Sequence, residues 1–387
     1  MRIITRTIWM LSLVSLFTDM ASEMLYPVMP VFLLSIGFSV VLIGVLEGVA
    51  EATAGLSKGY FGKLSDSMGK RLPFVRLGYL LSAISKPMMA VLQWPWWIFL
   101  ARTTDRLGKG IRTGARDAML SDETTKEHKA KVFGFHRSWD TVGAVLGPLL
   151  ALAYLYYYPE DYITLFYLAF LPGLVAIVLT FIIKKDSLQQ TAQKKRPSFF
   201  DFLKYWKESP SAYRKLLVGL LLFALFNSSD VFLLLRIKEA GMDDTSVIGI
   251  YIFYNLIYAV LAYPVGILAD KLGLKKIFIS GLVVFAAVYF IMANSNSLYL
   301  FLFGFLLYGF YAAATEGVAK AWISNIADKK DTATAIGTYT AFQSIAALLA
   351  SSFTGLLWFN YGAAAAFTIT AVAVVCIAVY VLIVARH

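Results

Sequence analysis

Two stretches of this chain, about 200 residues apart, carry one pattern. The first reads Gly62-Lys63-Leu64-Ser65-Asp66-Ser67-Met68-Gly69-Lys70-Arg71. The second reads Gly266-Ile267-Leu268-Ala269-Asp270-Lys271-Leu272-Gly273-Leu274-Lys275-Lys276. Each is a Gly-x-Leu-x-Asp-x-x-Gly loop with basic residues behind it, set between long apolar runs. One such loop says little. Two at matched places in two hydrophobic halves point to an internally duplicated membrane protein.

The apolar runs set the fold class. Hydrophobic residues make up 59% of the chain and charged ones 15%, against about 25% charged in a soluble protein. They fall in twelve blocks, at roughly 8–34, 40–61, 73–92, 95–117, 131–156, 163–183, 215–236, 247–268, 275–293, 297–322, 333–358 and 363–384. Each can cross a hydrocarbon core about 30 Å thick at 1.5 Å per residue. The sequence therefore predicts an all-α integral membrane protein with twelve transmembrane helices. The first block contains Asp19 and Glu23 and lacks an Ala-x-Ala-like site, so it reads as a span and not as a cleavable signal peptide.

The position of the charge excludes several functions. A net charge of +11 could mark a nucleic-acid partner, but the basic residues crowd alternate loops. They are Arg2 and Arg6; Lys63, Lys70, Arg71 and Arg76; Lys126, Lys129 and Lys131; Lys184, Lys185, Lys194, Lys195, Arg196, Lys204, Lys207, Arg214 and Lys215; and Lys271, Lys275 and Lys276. The loops between them hold Gln93-Trp94-Pro95-Trp96 and the acids Glu160 and Asp161. This positive-inside pattern predicts a multi-pass protein of the cytoplasmic (inner) membrane, with both termini and the middle loop cytoplasmic. Trp94, Trp96 and Trp97 fall in an outer aromatic belt. The partners expected are a lipid bilayer, a small-molecule substrate and protons, with no nucleic acid. Cys376 is the single cysteine, and His128, His136 and His387 are scattered as loop or terminal histidines. No disulfide framework, metal site or cofactor is expected. There is no Ser/His/Asp set, Cys/His pair or phosphate-binding loop, so the chain does not read as an enzyme.

The polar stretch 184–214 separates an amino-terminal bundle, 1–183, from a carboxy-terminal one, 215–387. Lys184 to Pro197 reads as a linker. Beyond it Phe199, Phe200, Phe202, Leu203 and Trp206 interleave with Asp201, Lys204, Lys207 and Glu208, the pattern of a short amphipathic helix on the membrane surface. An offset of about 204 residues aligns the halves. Phe133-Gly134 falls near Ile336-Gly337, Asp140 near Gln343, and Arg112 on Glu316. The halves share hydropathy order but carry opposite polar equipment.

Two further motifs complete the pattern: Arg106-x-x-Lys109-Gly110-x-Arg112, and Gly143-x-x-x-Gly147-Pro148-x-x-Ala151. With the duplicated loops, they make the whole chain resemble the major facilitator superfamily, with Ala151 standing where a glycine is usual. The resemblance implies two pseudo-symmetric six-helix bundles, a monomer, and secondary transport by rocking of the halves. It also implies a cytoplasmic latch built from Gly62, Asp66, Gly69, Lys70, Arg71 and Asp117, with Gly266, Asp270 and Gly273 as its repeat. The residues suit that role. Glycine permits close packing or positive φ. Asp66 can accept N–H bonds at a helix N-terminus, and Lys70 or Arg71 can pair with Asp117 or Asp122.

Charges inside the spans locate the candidate site. In the fourth block, the four charges from Arg102 to Lys109 would cost roughly 10 kcal/mol facing lipid. Arg102, Arg106, Lys109, Thr113 and Arg116 share one helical face. The acids Asp19, Glu23, Glu47, Glu51, Asp105 and Asp140 lie at similar depth. One reading makes this a network that binds substrate and carries protons on those six acids. The other makes it a set of ion pairs holding helices together. Arg102, Arg106, Lys109, Arg112 and Arg137 from the first half, with Asn227, Asp230, Asn255, Tyr258, Glu316 and Gln343 from the second, form the candidate substrate site. Arginine forks match carboxylate and phosphate oxygens. The expected cargo is a small polar organic anion, namely a carboxylate, an organophosphate or a siderophore-like chelate, moved with protons. Proton-driven drug efflux is the alternative, and a non-transporting receptor or scaffold the third reading.

Overall fold

The computed structural model describes residues 3–26, 28–183, 197–242 and 244–384. The front of the expected linker, 184–196, and the termini at Arg2 and His387 lie outside the described residues.

Among the described residues the regular structure is helical throughout. In chain order the helices are α1 (Arg6–Glu23), α2 (Met29–Ser35), α3 (Val40–Met68), α4 (Leu72–Val91), α5 (Pro95–Asp122), α6 (Lys129–Tyr157) and α7 (Tyr162–Ile182). The linker carries a 3-10 turn (Asp201–Lys204) and α8 (Tyr205–Glu208). Then follow α9 (Ser211–Ala224), α10 (Val231–Glu239), α11 (Asp244–Leu272), α12 (Leu274–Asn294), α13 (Leu298–Ile326) and α14 (Thr332–Val384). The last is interrupted at Gly362, φ 82°. With α1/α2 and α9/α10 each counted as one interrupted span, and α14 as two, the helices make the twelve expected spans. Among the described residues, six helices are long and apolar enough to cross a membrane.

The interruptions differ from the sequence reading, which ran blocks 8–34 and 215–236 straight through. In the first, Pro30 stands in the first turn of α2, where a residue without an N–H is tolerated and a new helix starts. In the second, Asn227, Ser228, Ser229 and Asp230 offer side chains that compete for backbone hydrogen bonds. Asp230 thus stands at the start of α10 and not in mid-helix.

Side-chain hydrogen bonds close several helix ends. Thr5 and Ser39 accept N–H bonds at the starts of α1 and α3. Asp161 accepts from Thr164 N (3.2 Å) and from the Tyr154 hydroxyl (2.7 Å). Those hydrogen bonds, the tyrosine's foremost, hold its carboxyl below the usual aspartate range. In the linker, Lys204 and the Ser198 N–H do the same for Asp201. Basic side chains close carbonyl ends: Arg76 reaches Thr180 O and Ile183 O after α7, Arg236 reaches Met292 O and Ser295 O after α12, and Lys129 reaches Ser324 O in α13.

The helices gather into two compact units. One comprises Met1–Thr125, Trp139–Lys207 and Asp328–Ala341. The other comprises Lys126–Ser138, Glu208–Ala327 and Phe342–His387. Each unit therefore takes one short segment from the opposite half of the sequence. The first packs Phe32 edge-on to Phe166 (4.9 Å) amid Met24, Leu33 and Met89. The second stacks Phe285 on Tyr289 (4.2 Å), with Phe223 and Tyr311 beside them. Large apolar side chains such as Leu171, Phe181, Val260, Phe290 and Leu348 are exposed, as a lipid-facing surface requires. Trp94 and Trp96 are exposed as well, the latter at 85%.

Candidate substrate and coupling site

In the first unit, α5 packs against α3 and α4 and its charges meet acids from α3. Arg102 forms a two-pronged pair with Glu47 (2.8 and 2.9 Å) and approaches Asp105 (3.6 Å). Asp105 is held by Lys86 of α4 at 2.7 Å, both nearly fully buried. Arg106 reaches Glu51 at 3.3 Å and Glu47 only at 3.9 Å, and its Nε meets no acceptor among the described residues. The Lys109 ammonium, one turn further, has neither an ion pair nor a hydrogen bond there, and its side chain is exposed. Cationic capacity thus increases along one face, from the saturated Arg102 to the open Lys109.

Acids of α1 and α6 face the same end. The Asp19 carboxyl lies within electrostatic and hydrogen-bonding reach of Asp140, and senses Lys109 and Glu23. Glu23 in turn senses Lys109 and Arg106. Ser15 donates to Asp140, and Arg116 reaches Ser15 (3.4 Å) while pairing with Asp117 (2.8 Å). Two carboxyls in reach of each other can share one proton. Arg112, expected in the substrate site, lies off the stripe. It turns to α4, donates to Ser82 and lies over the Tyr79 ring at 4.6 Å, buried. Gly143 and Gly147 bring α6 onto the α1 backbone at Leu16 and Met20.

The second unit gathers the other candidates. Arg137 pairs with Glu316 (2.8 Å), donates to the Tyr258 hydroxyl (2.6 Å) and covers that ring. The Tyr308 hydroxyl donates to Asp230 (2.6 Å) within a cluster holding Tyr254, Tyr258 and Tyr311. Asn255 is buried and turned back on Tyr251 O (3.0 Å), whereas Asn227 and Gln343 are half-buried. His136, expected among loop or terminal histidines, is buried in α6.

The duplicated loops form two matching clasps, one in each unit. In the first, Asp66 accepts from Thr334 N (2.6 Å) and its hydroxyl (2.7 Å), at the start of α14. Arg71 joins Asp66 (3.5 Å) to Asp122 (3.2 Å) and reaches Lys329 O. In the second, Asp270 accepts from Ala130 N (3.0 Å) and Lys131 N (2.8 Å), at the start of α6. Backbones meet beside each carboxylate: a Cβ on Gly62 would run into Ala333 O, and one on Gly266 into Ala130 O. Gly69 ends α3 at φ 62°, and Gly273 has φ 101°. Lys70 makes no side-chain contact of this kind among the described residues, although its carbonyl accepts from Ser65.

Sequence reading missed Lys86, Thr334 and Ser15. Lys86 was detectable as the cation deep inside the apolar run 73–92, whose other cation, Arg76, lies near its start. Ser15 and Thr334 carry no signal without a partner across the fold.

Twelve helical spans, with ion pairs set among the helices of each unit, define a membrane carrier of the secondary-transporter class. The pattern of the Major Facilitator Superfamily matches residues 11–253 and 237–387, and the chain belongs to that family. It is 31% identical over 370 residues to an MFS-type transporter of Methanocaldococcus jannaschii, covering 92% of this chain and 89% of that one. It is 24% identical over 184 residues to the quinolone resistance protein NorA of Staphylococcus aureus, about half of either chain (47% and 46%). Among solved structures, the human organic anion transporter MFSD10 superposes with a TM-score of 0.82 at 16% identity, over 97% of this chain and 99% of that one. The Escherichia coli fucose:proton symporter FucP superposes at 0.80 and 12% identity over both whole chains. The chain is accordingly a multi-pass transporter and not an enzyme.

Proposed function

We propose that this transporter moves a small polar organic anion by alternating access, coupled to protons, across the cytoplasmic membrane with both termini on the cytoplasmic side. The observation that carries this reading is the graded pairing along α5. Arg102 is saturated, but Arg106 has a spare donor and long contacts, and Lys109 has no hydrogen bond or ion pair among the described residues. Adjacent cations with unused donors suit a carboxylate or phosphate. The acids around them, Asp19, Glu23, Glu51 and Asp140, compete for those cations. Protonation of the acids frees the cations, which ties anion binding to proton uptake. Asp105 and Glu47 hold Arg102 in place, and Arg112 supports the α4–α5 packing. In the second unit, Arg137, Glu316, Tyr258, Asp230, Asn227, Asn255 and Gln343 offer polar groups of their own, suited to hydroxyls and amides. The two clasps would open and close once per cycle.

The test is flux in proteoliposomes under an imposed pH gradient, across carboxylates and organophosphates. Gradient-driven accumulation of one class supports the reading, and a flat response removes the acids from coupling. Drug efflux has one favouring observation, the tyrosine cluster around Asp230 in the second unit, which suits a lipophilic cation. Protection of cells against such cations, abolished by Asp230→Asn, would favour it.

A further inference from the structure

The ion pairs of the first unit form one chain of alternating sign. It runs from Lys86 to Asp105 (2.7 Å), to Arg102 (3.6 Å), to Glu47 (2.8 Å), to Arg106 (3.9 Å) and to Glu51 (3.3 Å). One end is sealed: the Lys86 side chain is 2% exposed. The other is open: that of Glu51 is 54% exposed. The links are unequal. Lys86 takes Asp105 closely, so Asp105 stands off from Arg102. Arg102 is then left to Glu47, which it grips with two prongs, and Glu47 stands off from Arg106. Short and long contacts alternate because each acid has one close partner.

We infer that Lys86 is a positioning residue that sets how much of Arg106 is available to an anion, acting through Asp105, Arg102 and Glu47. Removal of its charge leaves Asp105 without its close cation in a buried setting, where an unpaired charge is costly. The nearest replacement is Arg102, already 3.6 Å away. As Arg102 moves toward Asp105, Glu47 loses a prong and turns to Arg106. The pairing shifts by one link, and the spare donor of Arg106 is consumed. Removal of Asp105 instead does the reverse: Arg102 settles wholly on Glu47 and Arg106 is released. The inference takes its importance from the proposed anion site, but its test uses no substrate and stands or falls apart from that reading.

The probe is phenylglyoxal, which condenses with accessible guanidinium groups, applied to the purified full chain. Arg106 modification is read by peptide mass spectrometry and normalised to Arg137 in the second unit. Lys86→Met is expected to slow Arg106 modification several-fold. Lys86→Met with Asp105→Asn is expected to restore it, Lys86→Arg to leave it near wild type, and Asp105→Asn alone to speed it. A merely structural Lys86 would loosen the helices, so Lys86→Met would speed modification at Arg102 and Arg106 together. That result, or an unchanged Arg106 rate, overturns the inference. If Lys86→Met does not fold, Asp105→Asn decides: faster Arg106 modification supports the shift, and an unchanged or slower rate refutes it.

Discussion

Arg106 and Lys109 carry the weight of the proposal, whereas Arg112, a turn away, is spent on Ser82 and Tyr79. The three residues should therefore separate in assay. A charge-assisted hydrogen bond is worth about 1.5–3 kcal/mol, so Arg106→Ala or Lys109→Ala should raise the anion KM roughly 10- to 100-fold while the protein still inserts. Arg112→Ala should instead lower the melting temperature, because it opens a gap between α4 and α5. Equal KM effects from all three would argue that the stripe acts only as scaffolding. The sequence showed that these charges must avoid lipid, since cost and periodicity both follow from residue type. It did not show their pairing. Whether Asp105 takes Arg102 or Lys86 depends on the approach of α4, which spacing along α5 cannot encode.

At the scale of elements, the clasps were the most legible feature. Positive φ at Gly69 and Gly273, and a carboxylate one turn before each, follow from the motif itself. The partner helix ends do not. Nothing local in Thr332-Ala333-Thr334 announces that Asp66 will sit there, because that contact joins residues 268 apart. Asp66→Ala removes two short bonds to one helix start, and a loss of about 1.5–3 kcal/mol is expected, read as a lower melting temperature. Gly62→Leu and Gly266→Leu should each prevent closure of their clasp. Loss of closure would appear as faster maleimide labelling of a cysteine that replaces buried Ser65 in the first unit or buried Ser324 in the second, in a Cys376→Ser background; slow labelling would show that the backbones do not need to touch. The cap at Asp161 has its own signature. Its carboxyl is held below the usual aspartate range, so its stabilising effect is complete above that range and fades as pH falls through the lowered value. The melting deficit of Asp161→Asn should therefore shrink on acidification. The interrupted spans were the least legible elements. Hydropathy averages over Asn227 to Asp230 and hides the break that moves Asp230 to a helix start.

For the whole molecule, duplication, hydropathy and the family match agree on a twelve-span carrier, because each is a property of long segments and tolerates local error. The cargo lies at the other extreme: it depends on which few cations remain unpaired after folding. The claim that the Arg106–Lys109 face of α5 receives an anion is tested most directly by proton-gradient-driven uptake into proteoliposomes, comparing wild type with Arg106→Ala/Lys109→Ala across a panel of carboxylates and organophosphates. The account predicts that at least one anion accumulates with the gradient in the wild type and that the double variant, folded and inserted, loses this uptake. Undiminished uptake by the double variant would contradict it.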